Sequence, residues 1–266
     1  MIYLVALLMS HFCPIVDYII FLEYNLGKEV MAMELNRVEL ALKEIYDGWQ
    51  LGNEKENNGY SAMFRMGFPD EYIDSGRPLL MYVGQEDLNG DDYKTQEWVR
   101  KYQIVQLKKK NDILPKEKVN KSPFWNFFRR LCKSEYDVVW NNLNKFLKDD
   151  HKKYIEEKEA VNFNMAYGIG GKSVLQREIA QLMPKVILFV IGPKREYIDS
   201  LAAAFSVDPS ILYLHKPSHE ALVHDISNLL GLEGVTVLWT YHPAYLQRIK
   251  AYNNALQDIL KVKLNH

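Results

Sequence analysis

The stretch that decides the fold is Gly234-Val235-Thr236-Val237-Leu238-Trp239-Thr240-Tyr241-His242-Pro243-Ala244-Tyr245-Leu246-Gln247-Arg248. A run of β-branched and aromatic residues stops at His-Pro, and a helical pattern begins at once. An apolar run without polar alternation reads as a strand buried on both faces, the kind found in parallel sheets. Proline cannot donate to a central ladder, so Pro243 fixes where the strand stops and leaves His242 at its carboxyl end. Ligands of open α/β sheets bind at that edge. His242 and Pro243 are therefore candidate functional residues.

Working outward, solid apolar runs at Leu79–Gly84, Tyr136–Asn142 and Lys185–Gly192 predict further buried strands, with a short one at Ile211–Leu214. Between them lie helical patterns. Leu35, Val38, Leu42, Ile45 and Trp49 share one face, and so do Trp98, Tyr102 and Val105. Ser122-Pro123 supplies an N-cap and first helical residue for Phe124–Leu131, whose aromatics read as core. Ser173 with Gln176 forms a capping-box pattern, and Pro184 ends the helix it opens. Lys145–Glu159 reads as a charged surface helix. Ser218–Leu230 reads as a helix with Gly231 after it, and Leu246, Ile249, Leu256 and Leu260 predict one closing helix. The expected fold is α/β in three layers: a central, mostly parallel sheet of about four strands with helices on both faces. Residues 34–266 form one domain in this reading.

The 266 residues are 48% hydrophobic with a net charge of −1, ample for a large core and without a global field to recruit polyanions. Two cysteines, Cys13 and Cys132, are too few for a disulfide framework or a four-cysteine metal or iron–sulfur site. They read as free thiols in a reducing cytosol, so a cytoplasmic, monomeric protein without cofactor or metal is expected. Within residues 1–33, Ile2–Leu22 is strongly apolar, but His11, Pro14 and Asp17 interrupt it and no Lys or Arg precedes it. Residues 1–33 read as a packed extension or an over-extended start ahead of Met31 and Met33, rather than a membrane anchor.

Two motifs fall short. Gly168-Ile169-Gly170-Gly171-Lys172-Ser173 resembles the end of a phosphate loop, but Ala166 stands where its first glycine belongs and no strand precedes it. His215 and His219 are four apart, yet Pro217 intervenes and no third ligand is near. From Lys101 to Lys121 seven lysines face two acids, Asp112 and Glu117. This run is either a solvated face or a phosphate-contacting patch, with Lys108, Lys109 and Lys110, and Arg248 beyond His-Pro, as the candidate contacts.

Three polar strand ends remain: Gly84-Gln85-Glu86-Asp87, Asn141-Asn142 and His242-Pro243. In a parallel sheet they open onto one edge, so a carboxylate, an amide and a histidine converge there. This order of motifs resembles the uracil-DNA glycosylase superfamily from about Pro78 onward, and Leu175–Val186 is similar to the helix before that family's third strand. The resemblance implies a hydrolase that cleaves the N-glycosidic bond of a flipped, damaged or deaminated base in DNA. It implies that Glu86 or Asp87 positions water or stabilises the cationic sugar. The loop with Gly84, Gln85 and Asn89 would bind the base, and Asn142 or Asn141 would read its edge. His242 would donate to the carbonyl oxygen where charge develops. The sequence departs from the family pattern at Asp87-Leu88 after the first carboxylate and at Ala244 after His-Pro. A non-catalytic nucleobase- or nucleic-acid-binding protein on the same fold is the alternative; the expected partner is DNA or a free nucleobase.

Overall fold

A computed structural model describes residues 38, 40–47, 63–73, 75–85, 96–108, 118–145 and 172–262. In chain order the helices are α1 (40–47), α2 (Gln96–Leu107), α3 (Pro123–Leu131), α4 (Val174–Leu182), α5 (Arg195–Phe205), α6 (Pro209–Leu214), α7 (Pro243–Arg248) and α8 (Tyr252–Lys261). The strands are β1 (Leu79–Gly84), β2 (Asp137–Asn142), β3 (Val186–Phe189), β4 (Val223–Asp225) and β5 (Thr236–Thr240). They form one sheet in the order β2-β1-β3-β5-β4; the first four are parallel and only β4 runs against β5. The α/β class and the mostly parallel sheet match the expectation, with five strands rather than about four.

The strand order decides where a ligand can go. From β1 the chain crosses to β2 on one side, then returns over β1 to β3 and on to β5. Right-handed crossovers place α2 and α3 on one face of the sheet, and α4, α5 and α6 on the other. The helix contacts agree: α3 packs on α2 and α7, while α4 packs on α5. The crossovers diverge between β1 and β3, so a crevice opens at the carboxyl ends of those strands.

Both predicted N-caps are present. Ser122 accepts from the Trp125 N–H, and Ser173 and Gln176 satisfy each other's backbone N–H groups as a full capping box. Three expectations are corrected. Ile211–Leu214 is the end of helix α6, because the Asp208 carboxylate takes the Ser210 N–H at 2.8 Å and Pro209 starts the helix; a four-residue apolar run does not distinguish the two states. Ser218–Leu230 is not a helix: Ser218 and Ala221 close a turn, and the segment then pairs with β5 as β4. The closing helix is two helices, broken where Lys250 takes φ +57° and the Ala251 N–H turns back to the Leu246 carbonyl at 2.9 Å. Residues 1–33, Leu35, Trp49 and 146–159 lie outside the described residues.

Side chains take three of the outward backbone groups of β2. Fully buried Gln103 on α2 accepts the Trp140 N–H at 2.6 Å and donates to the Gly67 carbonyl at 2.9 Å. The Tyr72 hydroxyl donates to the Val138 carbonyl at 3.3 Å, and Arg77 donates to the Tyr136 carbonyl. Gly67 lies so close to α2 that a Cβ there would stand 2.4 Å from both the Arg100 nitrogen and the Gln96 oxygen. Those are backbone atoms and cannot rotate away. Gly67→Ala should therefore lower the unfolding free energy by about 1–3 kcal/mol, the range for a forced overpacking. Urea denaturation measures this, and an unchanged midpoint would contradict the close approach.

Candidate functional site

The carboxyl ends of β1, β2 and β5 meet at one edge, as their shared direction requires. Gly84 is in register with Asn142, and the Gln85 amide donates across the crevice to the Ile191 carbonyl beyond β3 at 2.7 Å. The Gln85 carbonyl accepts the Asn144 N–H at 2.9 Å, so Gln85 joins the loops after three strands. Gly84 has no room for a side chain: a Cβ would lie 2.9 Å from the Asn142 amide oxygen and 2.9 Å from the Phe124 ring.

His242 is the N-cap of α7. Its Nδ1 accepts the Ala244 N–H at 3.2 Å, and Pro243, with no N–H to satisfy, starts the helix. Burial pushes its pKa down from 6.5 to about 4, so the ring is neutral at physiological pH. A neutral imidazole whose Nδ1 lone pair is occupied carries its proton on Nε2. The side chain is therefore a fixed donor. Phe124 stacks on it, ring centres 5.9 Å apart and planes 17° from parallel.

The two asparagines separate cleanly, because successive side chains of a strand face opposite sides of the sheet. Asn141 faces α4, where its amide nitrogen donates to Glu178 at 2.8 Å and its oxygen accepts from Lys145. Lys145 also reaches both Glu178 oxygens, at 2.9 and 2.8 Å, and Tyr46 on α1 donates to Glu178 at 2.5 Å. Lys145 was expected on a surface helix; it is 5% exposed and Glu178 is 0% exposed. Burial pushes the Lys145 ammonium below its usual range, opposed by Glu178, and holds the Tyr46 hydroxyl well above its own. Asn142 instead faces α3. Its oxygen accepts the Trp140 indole N–H at 3.0 Å, and an indole can only donate, so the orientation of the amide is set. Its Nδ2, buried in a residue 1% exposed, has no partner among the described residues.

The structure thus brings Gly84, Gln85, Asn142, His242 and Pro243 to one edge and commits Asn141 to a core network. Glu86, Asp87, Asn89, Lys109 and Lys110 lie outside the described residues, as does the glycine run 168–171. Lys108 follows the end of α2, and Arg248 ends α7 with its guanidinium 5.8 Å from the Tyr245 ring centre. Sequence reasoning missed Phe124. It read the α3 aromatics as core, which Trp125, Phe127 and Phe128 are, whereas Phe124 is only partly buried and lies between Gly84 and His242. The detectable signal was its place in the first turn of a capped helix, one turn ahead of the buried stripe. Among the described residues no group of three His, Cys, Asp or Glu could hold a metal, and no helix is long and apolar enough to cross a membrane. His219 contacts the Tyr245 hydroxyl at 3.3 Å, and burial pushes the Cys132 thiol up to about 12.

Two outcomes follow from this geometry. His242 should titrate near 4 with its proton on Nε2, read from the ring nitrogen shifts by NMR. The unfolded chain takes up that proton near 6.5 and the folded chain only near 4, so its contribution to stability is complete above pH 6.5. It is lost as the pH falls toward 4, by roughly 3 kcal/mol, and His242→Gln should flatten that part of the stability–pH curve. Separately, Glu178→Gln strands the Lys145 charge in the core and should cost about 3–5 kcal/mol by chemical denaturation; a loss below about 1 kcal/mol would mean that the pair is not buried as described.

Compared with known proteins, the chain matches no family model, and no curated protein matches it.

Proposed function

We propose that the protein is a hydrolase of the uracil-DNA glycosylase type, removing a deaminated or otherwise damaged base flipped into the crevice between β1 and β3. The observation that carries this reading is a pair of donors at the carboxyl edge of the sheet. One is the Nε2–H of a neutral His242, held by the first turn of α7; the other is the unspent Nδ2 of Asn142, held by Trp140. Breaking an N-glycosidic bond leaves negative charge on the base and positive charge on the sugar. A neutral, oriented N–H stabilises the oxygen where the negative charge collects, without delivering a full proton. A buried donor without a partner costs about 1–3 kcal/mol, which a base carbonyl placed against Asn142 would recover. The Phe124 ring beside Gly84 offers the face on which a flat base stacks. Glu86 or Asp87, next along the chain from Gln85, would supply the carboxylate for water and sugar.

Flipping costs a few kcal/mol, so single-stranded or mismatched substrate is favoured. The assay incubates the protein with single-stranded oligonucleotides carrying uracil, xanthine or hypoxanthine and measures cleavage at the resulting abasic site. Excision is expected, with a rate showing no acid limb near pH 6.5, because His242 stays neutral down to about 4. His242→Ala should lose on the order of 10²–10³ in rate; full activity in that variant would sink the mechanism. The altered residues Asp87-Leu88 and Ala244 favour the alternative, a non-catalytic binding protein. Salt-sensitive binding without excision of any base would assign that role instead.

A further inference from the structure

On the α3 side of the sheet, a second concavity of about 590 Å³ lies between α3 and the turn from α7 to α8. Four cations line it, Arg129, Arg130, Lys133 and Lys250, with the amides of Asn126 and Asn253 among them. No acidic side chain is among its described lining residues. The arginines are held by neutral groups: Arg129 donates to the Asn120 carbonyl at 2.8 Å, to Gln106 at 3.4 Å and to the Asn126 amide oxygen, while Arg130 donates to Asn253 at 2.6 Å. Among the described residues no carboxylate pairs with any of the four. Burial holds the Arg129 pKa below its usual value, as expected for a desolvated guanidinium without a counter-charge. Lys250 reaches this place through a left-handed backbone, φ +57°, that β-branched residues avoid and that turns the chain back toward α3.

Convergent cations repel unless an anion sits between them, and amide-oriented guanidinium forks match the oxygens of a phosphate. Helix α3 connects the two concavities: Phe124 at its start stacks on His242, and Arg129 and Arg130 near its end line the cleft. We propose that this cleft binds phosphate groups, those of a nucleic-acid strand whose base enters the crevice at His242, or those of a free nucleotide. The choice of a strand rests on the function proposed above; the phosphate site itself rests on the cleft. It differs from the lysine run that the sequence brought forward, since none of its described lining residues lies between 101 and 121.

The test uses an undamaged, labelled thymidine oligonucleotide, so it is independent of excision. Binding is followed by fluorescence anisotropy across a salt series in the wild type, in His242→Ala and in the double variant Lys133→Gln/Lys250→Gln. Both lysines are exposed, and thermal melting confirms that the variant is folded. In the wild type and in His242→Ala, affinity should fall steeply with salt. In the double variant the slope of log K against log salt should shrink by about 1.4, two contacts at roughly 0.7 each for a single strand. Thymidine 5′-monophosphate and inorganic phosphate, tested by calorimetry, separate the sources: binding of either that matches the oligonucleotide and is lost in the double variant assigns a free anion. A wild type that binds none of the three, or a double variant with unchanged affinity and slope, overturns the proposal. Failure to excise any base bears only on the function at His242.

Discussion

The structure depends on a charge with nowhere to go. Lys145 lies three residues beyond the end of β2 and is buried, and an ammonium left alone there would be untenable. Glu178 from α4 neutralises it, and Asn141 and Tyr46 use the remaining oxygen and proton positions. With both carboxylate oxygens doubly engaged, the group is satisfied and rigid. It joins three elements distant in sequence: α1, the end of β2 and α4. It also settles the orientation of β2. Once Asn141 is drawn toward Glu178, alternation sends Asn142 to the opposite face, beside Gly84 and Phe124.

The crevice is the counterpart of that rigidity. Its groups sit on strand ends and the first turns of helices, not on long arms, so their positions are fixed by the backbone. Tyr82 from β1 donates to the Phe124 carbonyl at 3.2 Å, which fixes the start of α3 on the sheet. The same backbone that starts α7 holds the His242 ring, and the ring's tautomer is decided by an amide N–H two residues along. Position and protonation therefore share one cause. In the proposed role, that arrangement lets a donor face a developing anion without being charged beforehand.

What could be read from sequence follows the range of the forces involved. Strand ends and N-caps are local: a buried run stopped by proline, or Ser three residues before Gln, carries its own explanation, and the N-caps at Ser122 and Ser173 appear where the pattern put them, while β3 ends at Phe189, three residues before the expected Gly192. Strand β4 is different. Val223–Asp225 is a strand because β5 offers it an edge, and nothing within Ser218–Leu230 announces that pairing. Helix α6 is legible in principle from Asp208-Pro209, a cap followed by a first-turn proline, but the apolar run after it reads equally as a strand. The Lys145–Glu178 pair joins residues 33 positions apart, each of which resembles an ordinary surface charge in its own surroundings. The basic cleft is assembled from α3 and the α7–α8 turn, and no single window of sequence contains it.

The side chains along β2 have a consequence for association. A parallel sheet ends in a strand with unpaired N–H and C=O groups, which can template another chain. Here three of the outward groups, the Tyr136 and Val138 carbonyls and the Trp140 N–H, are taken by Arg77, Tyr72 and Gln103. A strand approaching this border would have to displace a fully buried amide that also holds Gly67. The border is thus partly capped from within, so strand addition along β2 would have to break these contacts first.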